Sequence, residues 1–317
     1  MNGKQYVGLD IGGTNIKTAV IDENKKISIK HIEYIDKSGS DNALQQILEI
    51  TRNLIDQTKE VKAIGIGLPG IIDSHTGIMV QSPNLAQLEN IDVRKIVTEM
   101  FHIPVFIDND VNVSAFAEYK MHPEIIKNNL RNIVFMMVGT GLGGGIILDG
   151  QLWRGSSGFA AEIGHICIDI NGDKCNCGGK GCMETYVSST GLIKRTKKHL
   201  RRFPTSSLSR ISSDKLNCED IFEAEKNNDP AAIFLIQEFI EALAAGIGSL
   251  INIFNPEAIV LGGGVIIPND FIIIEARKGA KAFSFRKPYN DCIIIPSHLK
   301  NEAGVTGAAL LARNLSE

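Results

Sequence analysis

Two stretches of this chain follow one plan. YVGLDI, the turn GGTN and IKTAVID make strand, glycine/threonine turn and strand, and NIVFMMV, GTGLGGG and IILDGQL repeat the order in the second half. The repeat is weak by letter and clear by pattern, and it constrains the chain to two α/β halves built alike. KKISIKHIEYI adds a third strand after the turn DENKK, so the chain opens as a meander. Ser40 and Asp41 offer a helix N-cap before Leu44, Ile47, Leu48, Leu54 and Ile55 at helical spacing. VKAIGIGLPG reads as a buried strand, VRKIVTEMFH as a short helix, IPVFID as a strand and VNVSAFAEY as a helix, with KMHPEIIKNNLR as linker. Later come a long apolar helix from Pro230 to Phe254, a strand with a glycine turn in EAIVLGGGVI, and the closing helix EAGVTGAALLARNL.

A chain of 317 residues is long for a single core, so two lobes are expected. We place them at 1–120, with the helix at about 303–317 packing back on it, and at 121–302, carrying a cysteine-rich loop at 165–182. The net charge of −3 argues against a nucleic-acid or anionic-membrane partner, because phosphate binding rests on surplus Lys and Arg. MNGKQYVGLDIGGTN lacks the parts of a secretory signal, and apolar runs such as INIFNPEAIVLGGGVIIP are broken by Asn, Pro and Gly. A cytoplasmic setting is therefore expected, where clustered cysteines serve as metal ligands more often than as disulfides.

Glycine turns follow the apolar strands at Gly12–Gly13–Thr14, at Gly139 to Gly145 and at Gly262–Gly263–Gly264. Glycine lets several backbone N–H groups approach one anion, which suits phosphates, although any one such turn also reads as a tight hairpin. No GxxxxGK[ST] occurs, so a P-loop is excluded. Gly139 to Gly144 fits GxGxxG, with Glu162 at a plausible ribose distance. The dinucleotide motif needs a helix next, however, and IILDG is strand-like.

DIGGTNIKTAVID, GTGLGGG, LGGGV and EAGVTGAALLA, in that order, resemble the phosphate, adenosine and closing segments of the superfamily of sugar kinases, heat-shock ATPases and actin. GLPG, SPN, DNDVN, GSSGFAAEIGH and CNCGGKGCME resemble the ROK family of sugar kinases and repressors, across nearly the whole chain. The resemblance implies a two-lobed actin-like ATPase (ribonuclease H-like) fold, each lobe a mixed sheet with flanking helices. It implies ATP with Mg2+ as donor. Asp10 would approach the Mg2+, and Gly12, Gly13, Thr14, Asn15 and Lys17 would face the phosphates. Gly139, Thr140, Gly141, Gly143, Gly144 and Gly145 would face them from the other side, with Gly262, Gly263 and Gly264 beside the adenosine. Asp110 matches the general base and Asn109 the residue holding the acceptor hydroxyl, while Gly70 and Asn84 would line the sugar pocket. Taken alone, Asp108–Asn109–Asp110 also reads as a helix cap. Glu162, His165 and Glu184 would contact sugar hydroxyls. One departure is Ala161, where the family usually has Gly.

His165, Cys175, Cys177 and Cys182 offer one imidazole and three thiols, a set that can fill a tetrahedral zinc shell. The alternative is free thiols or a strained disulfide. GDKCNCGGKG is too polar to fold on a core by itself, so a structural zinc would fix it and hold His165 and Glu184 in place. Cys167, Cys218 and Cys292 read as ordinary thiols. The resemblance favours a hexose kinase acting on glucose. N-acetylmannosamine, N-acetylglucosamine, fructose and allose remain alternatives, and Trp153 fits either allose recognition or a hairpin cover. A DNA-binding regulator would need a further module ahead of Tyr6, and a sugar-binding protein without catalysis fits poorly with Asp110 and both phosphate turns. A homodimer is usual in the family.

Overall fold

The computed structural model describes residues 3–36, 42–73, 76–82 and 85–317. The expected cap at Ser40 and Asp41, and Asn84 of the expected sugar pocket, lie outside the described residues. The first sheet is built from β1 (Gln5–Ile11), β2 (Asn15–Asp22), β3 (Ile27–Tyr34) and β4 (Val61–Leu68), with α1 (Asn42–Asp56) between β3 and β4. A short hairpin, β5 (Ile71–Asp73) with β6 (Ile78–Gln81), precedes α2 (Val93–Phe101), β7 (Val105–Asn109) and α3 (Asp110–Met121). The second half holds α4 (Pro123–Lys127), β8 (Ile133–Val138), β9 (Leu142–Leu148), β10 (Gln151–Leu152), α5 (Ser189–His199), α6 (Cys218–Lys226) and α7 (Pro230–Phe254). It ends with β11 (Ala258–Gly262), α8 (Phe271–Ala280), α9 (Arg286–Asp291), β12 (Ile293–Pro296) and α10 (Ala303–Ser316).

The strand order is β3-β2-β1-β4-β7 in one sheet and β10-β9-β8-β11-β12 in the other. Each is an antiparallel meander joined to parallel strands: β1 pairs antiparallel with β2 and parallel with β4, and β8 pairs parallel with β11. The two sheets thus repeat one topology. The chain divides into two compact units, 1–129 with 145–161 and 301–317, and 130–144 with 162–300. The segment 145–161, which the sequence expectation runs with the second lobe, packs with the first unit.

In that unit the pleat sorts the side chains by face. Val7, Leu9 and Ile11 of β1 and Ile64, Ile66 and Leu68 of β4 join Ile47, Ile50, Leu54 and Val97 from α1 and α2 in one core. Between them on the opposite face stand Gly8, Gly65 and Gly67, with Asp10 near the end of β1. A Cβ at Gly65 would lie 1.8 Å from the Ala308 carbonyl oxygen, so α10 rests directly on the sheet backbone.

Two segments differ from the sequence expectation. KMHPEIIKNNLR is mostly helix: α3 runs to Met121, and His122 then caps α4 through its side chain, with Pro123 in the first turn. Gly143 to Gly145 lie inside β9, so the turn itself is Gly139–Thr140–Gly141. By length and composition α7 is the one helix among the described residues that could cross a membrane. It packs against α5, α6 and α8 in the second unit.

Candidate active site and metal centre

In the first unit the expected residues gather at the carboxyl ends of β1, β4 and β7, where open α/β sheets build their sites. Asp108 and Asn109 end β7, and Asp110 opens α3. Asn109 Oδ1 caps that helix, accepting from the Val111 N–H at 2.8 Å and the Asn112 N–H at 3.1 Å. Its amide donates to the Gly70 carbonyl at 3.0 Å, which brings two expected sugar-pocket residues together. Gly70 has φ +97°, and a Cβ there would lie 2.3 Å from the Gln81 carbonyl oxygen, so only glycine fits. Asn109 is thus a helix cap, and the cap fixes where Asp110 begins the helix.

Asp10, next to last in β1, lies near the same place. A Cβ built on Gly67 would stand 3.8 Å from Asp10 Oδ1 and 3.5 Å from the Asp110 Cα, and Gly304 at the start of α10 gives way to the Asp10 carboxylate. Asp10 keeps some exposure, yet burial pushes its carboxyl up to about 6 against the opposing pull of Lys17. Lys17 itself donates to the Asn301 carbonyl at 3.1 Å. Gly12, Gly13, Thr14 and Asn15 form the β1–β2 turn, closed by Gly12 N–H on the Asn15 carbonyl at 2.8 Å, with Thr14 exposed. Gly145 packs its missing side chain against Ala115 of α3, and that contact alone accounts for the glycine.

Sequence patterns gave no hint of Arg154. Its Nε and Nη2 lie 2.7 and 2.6 Å from Oδ2 of Asp108, whose carboxylate is almost fully buried. The partners stand far apart in the chain, beyond the reach of any local pattern.

In the second unit, two glycine turns lie at the ends of the parallel neighbours β8 and β11. Gly263 has φ +95° and sits against Val138, whose carbonyl accepts the Val265 N–H at 3.1 Å. Gly262 closes β11 between Phe135 and Ser297, while Gly139 and Gly264 face open space. The start of α5 docks on the first turn, with Ser189 N–H on the Gly139 carbonyl at 2.9 Å and Thr190 Oγ1 on the Thr140 carbonyl at 2.8 Å. Glu184 reaches the same turn: its Oε2 accepts the Leu142 N–H at 2.9 Å, and Gly141 leaves the room. Glu162 is exposed, yet the protein around its carboxyl raises its pKa, with His165 opposing and Glu184 adding to the rise. The expected trio thus shares one neighbourhood.

One ligand atom each from His165, Cys175, Cys177 and Cys182 lies within 4.8 Å of the others. The Cys177 and Cys182 sulfurs are 3.6 Å apart, and Cys175 Sγ is 3.6 Å from His165 Nδ1. A tetrahedron built on zinc–sulfur bonds of about 2.3 Å has edges near these lengths, so the donor set and spacing fit zinc. Burial and the neighbouring thiols push the Cys182 thiol up to about 12. Cys167, Cys218 and Cys292 are not in this set, although the backbone of Cys167 pairs antiparallel with that of Cys182.

Residues 6–315 match the model of the ROK family. The chain belongs to the ROK family. A glucokinase of Streptomyces coelicolor is 31% identical over 97% of this chain and 97% of its own length. A xylose repressor of Caldicellulosiruptor bescii is 32% identical over 95% of this chain and 76% of its own. The crystal structure of a ROK glucokinase from Streptomyces griseus, in complex with glucose and AMPPNP, superposes with a TM-score of 0.82 at 29% identity, covering 98% and 99% of the two chains. The fold is the actin-like ATPase fold of the ROK sugar kinases.

Proposed function

We propose that the protein is an ATP-dependent hexose kinase that transfers the γ-phosphoryl group to the 6-hydroxyl of glucose. The observation that carries this reading is that Asp10 Oδ1 and the Asp110 Cα both lie close to the same side of Gly67, with Asp110 fixed at the first turn of α3 by the Asn109 cap. Family membership supports it, as do the glucokinases of two Streptomyces species among the similar chains.

Phosphoryl transfer asks little covalent help of a protein, so position and charge decide the rate. Asp110 would accept the proton of the sugar hydroxyl as its oxygen bonds to phosphorus, and ADP would leave. Asn109 and Gly70 would orient that hydroxyl, and Glu162, His165 and Glu184 would hold the remaining ones. Asn84 would join them. The glycine turns after β1, β8 and β11 would bind the nucleotide. Mg2+ bound with ATP would neutralise phosphate charge beside Asp10. Zinc held by His165, Cys175, Cys177 and Cys182 would be structural, its shell filled by protein. His165 Nδ1 lies 3.6 Å from Cys175 Sγ, so Nε2 would be the nitrogen that meets the sugar.

The test is ADP release with Mg-ATP on a panel of glucose, mannose, fructose, allose, N-acetylglucosamine and N-acetylmannosamine. Turnover on glucose that falls by about 10³-fold or more in Asp110→Asn, with glucose binding kept, is the expected result. Full activity of that variant would remove Asp110 as base. The similarity to a xylose repressor favours a second reading, a sugar-sensing regulator. Sugar binding with no turnover on any sugar would replace the kinase with it.

A further inference from the structure

Asp108 stands two residues before the base of the kinase reading, 2% exposed, with its carboxylate fully engaged. Oδ2 accepts Arg154 Nε and Nη2 at 2.7 and 2.6 Å. Oδ1 accepts the Asn112 side-chain amide and the Asn109 backbone N–H, both at 2.8 Å. Such an ion pair, with Asp108 buried and Arg154 part-exposed, is a poor source of stability, because desolvating the carboxylate offsets much of the attraction. It does fix geometry. Here Oδ1 ties the end of β7 to the first turn of α3, and Asn109 and Asp110 lie within that tie. Arg154 supplies the counter-charge from the segment after β10. That segment is itself held, with Trp153 N–H on the Ile146 carbonyl at 2.8 Å and Ala160 N–H on the Arg154 carbonyl at 3.0 Å.

We propose that Arg154 is a positioning residue for phosphoryl transfer: by clamping Asp108 it fixes the peptide that carries Asn109 and Asp110. The inference rests on the kinase reading. It also explains the choice of arginine, since two nitrogens of one rigid fork meet a single carboxylate oxygen, which a flexible lysine ammonium does not reproduce. Arg154 touches no reacting atom in this role. Its effect passes through Asp108 and belongs in kcat, whereas loss of a sugar or nucleotide contact would appear in KM.

The experiment compares wild type, Asp110→Asn, Arg154→Lys and the double variant Asp108→Asn/Arg154→Met, measuring kcat, both KM values and the melting midpoint. Arg154→Lys keeps the charge and loses the fork; the double variant leaves no buried charge unpaired. Both are expected to melt near wild type with KM values within about threefold, yet to lose kcat by about tenfold to a hundredfold. Wild-type kcat in Arg154→Lys overturns the proposal, as does a rise in KM with kcat unchanged. Should the double variant fail to fold, Arg154→Lys alone decides by the same readings. A wild type inactive on every hexose would instead sink the kinase reading. An active wild type, a dead Asp110→Asn and a fully active Arg154→Lys would sink only the role of Arg154.

Discussion

Ala161 has φ +72°, a left-handed backbone that costs an alanine roughly 1–2 kcal/mol and a glycine almost nothing. The family's usual glycine at this position therefore has a physical reason, and this chain departs from it under strain. Ala161→Gly also gains unfolded-state freedom, which offsets part of the relief, so a net stabilisation of up to about 1 kcal/mol is expected. Urea denaturation would read it, and a clear loss of stability would show that surrounding packing favours the methyl group. Asp10 carries strain of another kind. Its folded pKa, at about 6, lies above the ordinary aspartate value of 3.8. The carboxyl is then protonated and harmless in the folded protein at low pH, and its ionisation destabilises the fold as pH rises through 6. Asp10→Asn should match wild type near pH 4 and exceed it above pH 7, by about 1–3 kcal/mol after allowance for residual exposure. Thermal melts of the Mg-free protein across pH would test this; a gain largest at low pH would reverse the sign and refute it.

At the scale of elements, the loop Cys175–Cys182 shows how a polar segment acquires a shape. Cys175 N–H bonds the Gly179 carbonyl at 3.0 Å and Gly181 N–H the Asp173 carbonyl at 2.8 Å. Its neck is gripped by Arg195, whose guanidinium lies 4.1 Å from the Tyr186 ring centroid and 2.8 Å from Glu238, and Tyr186 bonds Asp169 at 2.7 Å. If zinc fills this set, stripping it with a chelator should loosen the loop and weaken sugar binding more than ATP binding, because His165 would itself be a ligand and Glu184 follows Cys182 by two residues. Zinc uptake must also release thiol protons, so its affinity should fall from pH 8 to pH 6. Competition with a chromogenic chelator at the two pH values measures this, and a pH-independent affinity would contradict thiolate ligation. The same region shows what sequence can and cannot disclose. Cysteine spacing is local, so the four residues whose donor atoms gather here were legible before any fold was known. The apolar periods of β1, β4, α2 and α7 were legible for the same reason. The helix within KMHPEIIKNNLR was masked by Pro123, which reads as a breaker until His122 is seen to cap the turn. The glycines of β9 read as turn because their need for closeness, to Ala115 in the case of Gly145, arises only on packing. Arg154 was invisible because its meaning lies in a partner 46 residues away.

At the scale of the whole molecule, one topology occurs twice, yet the first copy is finished only by the far end of the chain. α10 lies across β1, β4 and α3, and its fit depends on residues without side chains. A Cβ at Gly307 would lie 1.8 Å from the Val113 carbonyl oxygen, and one at Gly65 would lie 1.8 Å from that of Ala308. Both obstacles are backbone, which cannot rotate aside as a side chain would. Either strand and helix must separate, losing contact around Val305, Ala308 and Ala309, all buried, or the fold must fail. Gly65→Ala is therefore expected to cost about 3 kcal/mol or more, far beyond the usual effect of adding one methyl group. Gly264→Ala, which meets nothing within 4 Å, is the control and should leave stability within about 0.5 kcal/mol. Urea denaturation of the two variants beside wild type decides the matter. Equal stability of Gly65→Ala and wild type would mean that α10 does not bear on the sheet as closely as its glycines imply, and that the first unit does not need the last segment of the chain to close its core.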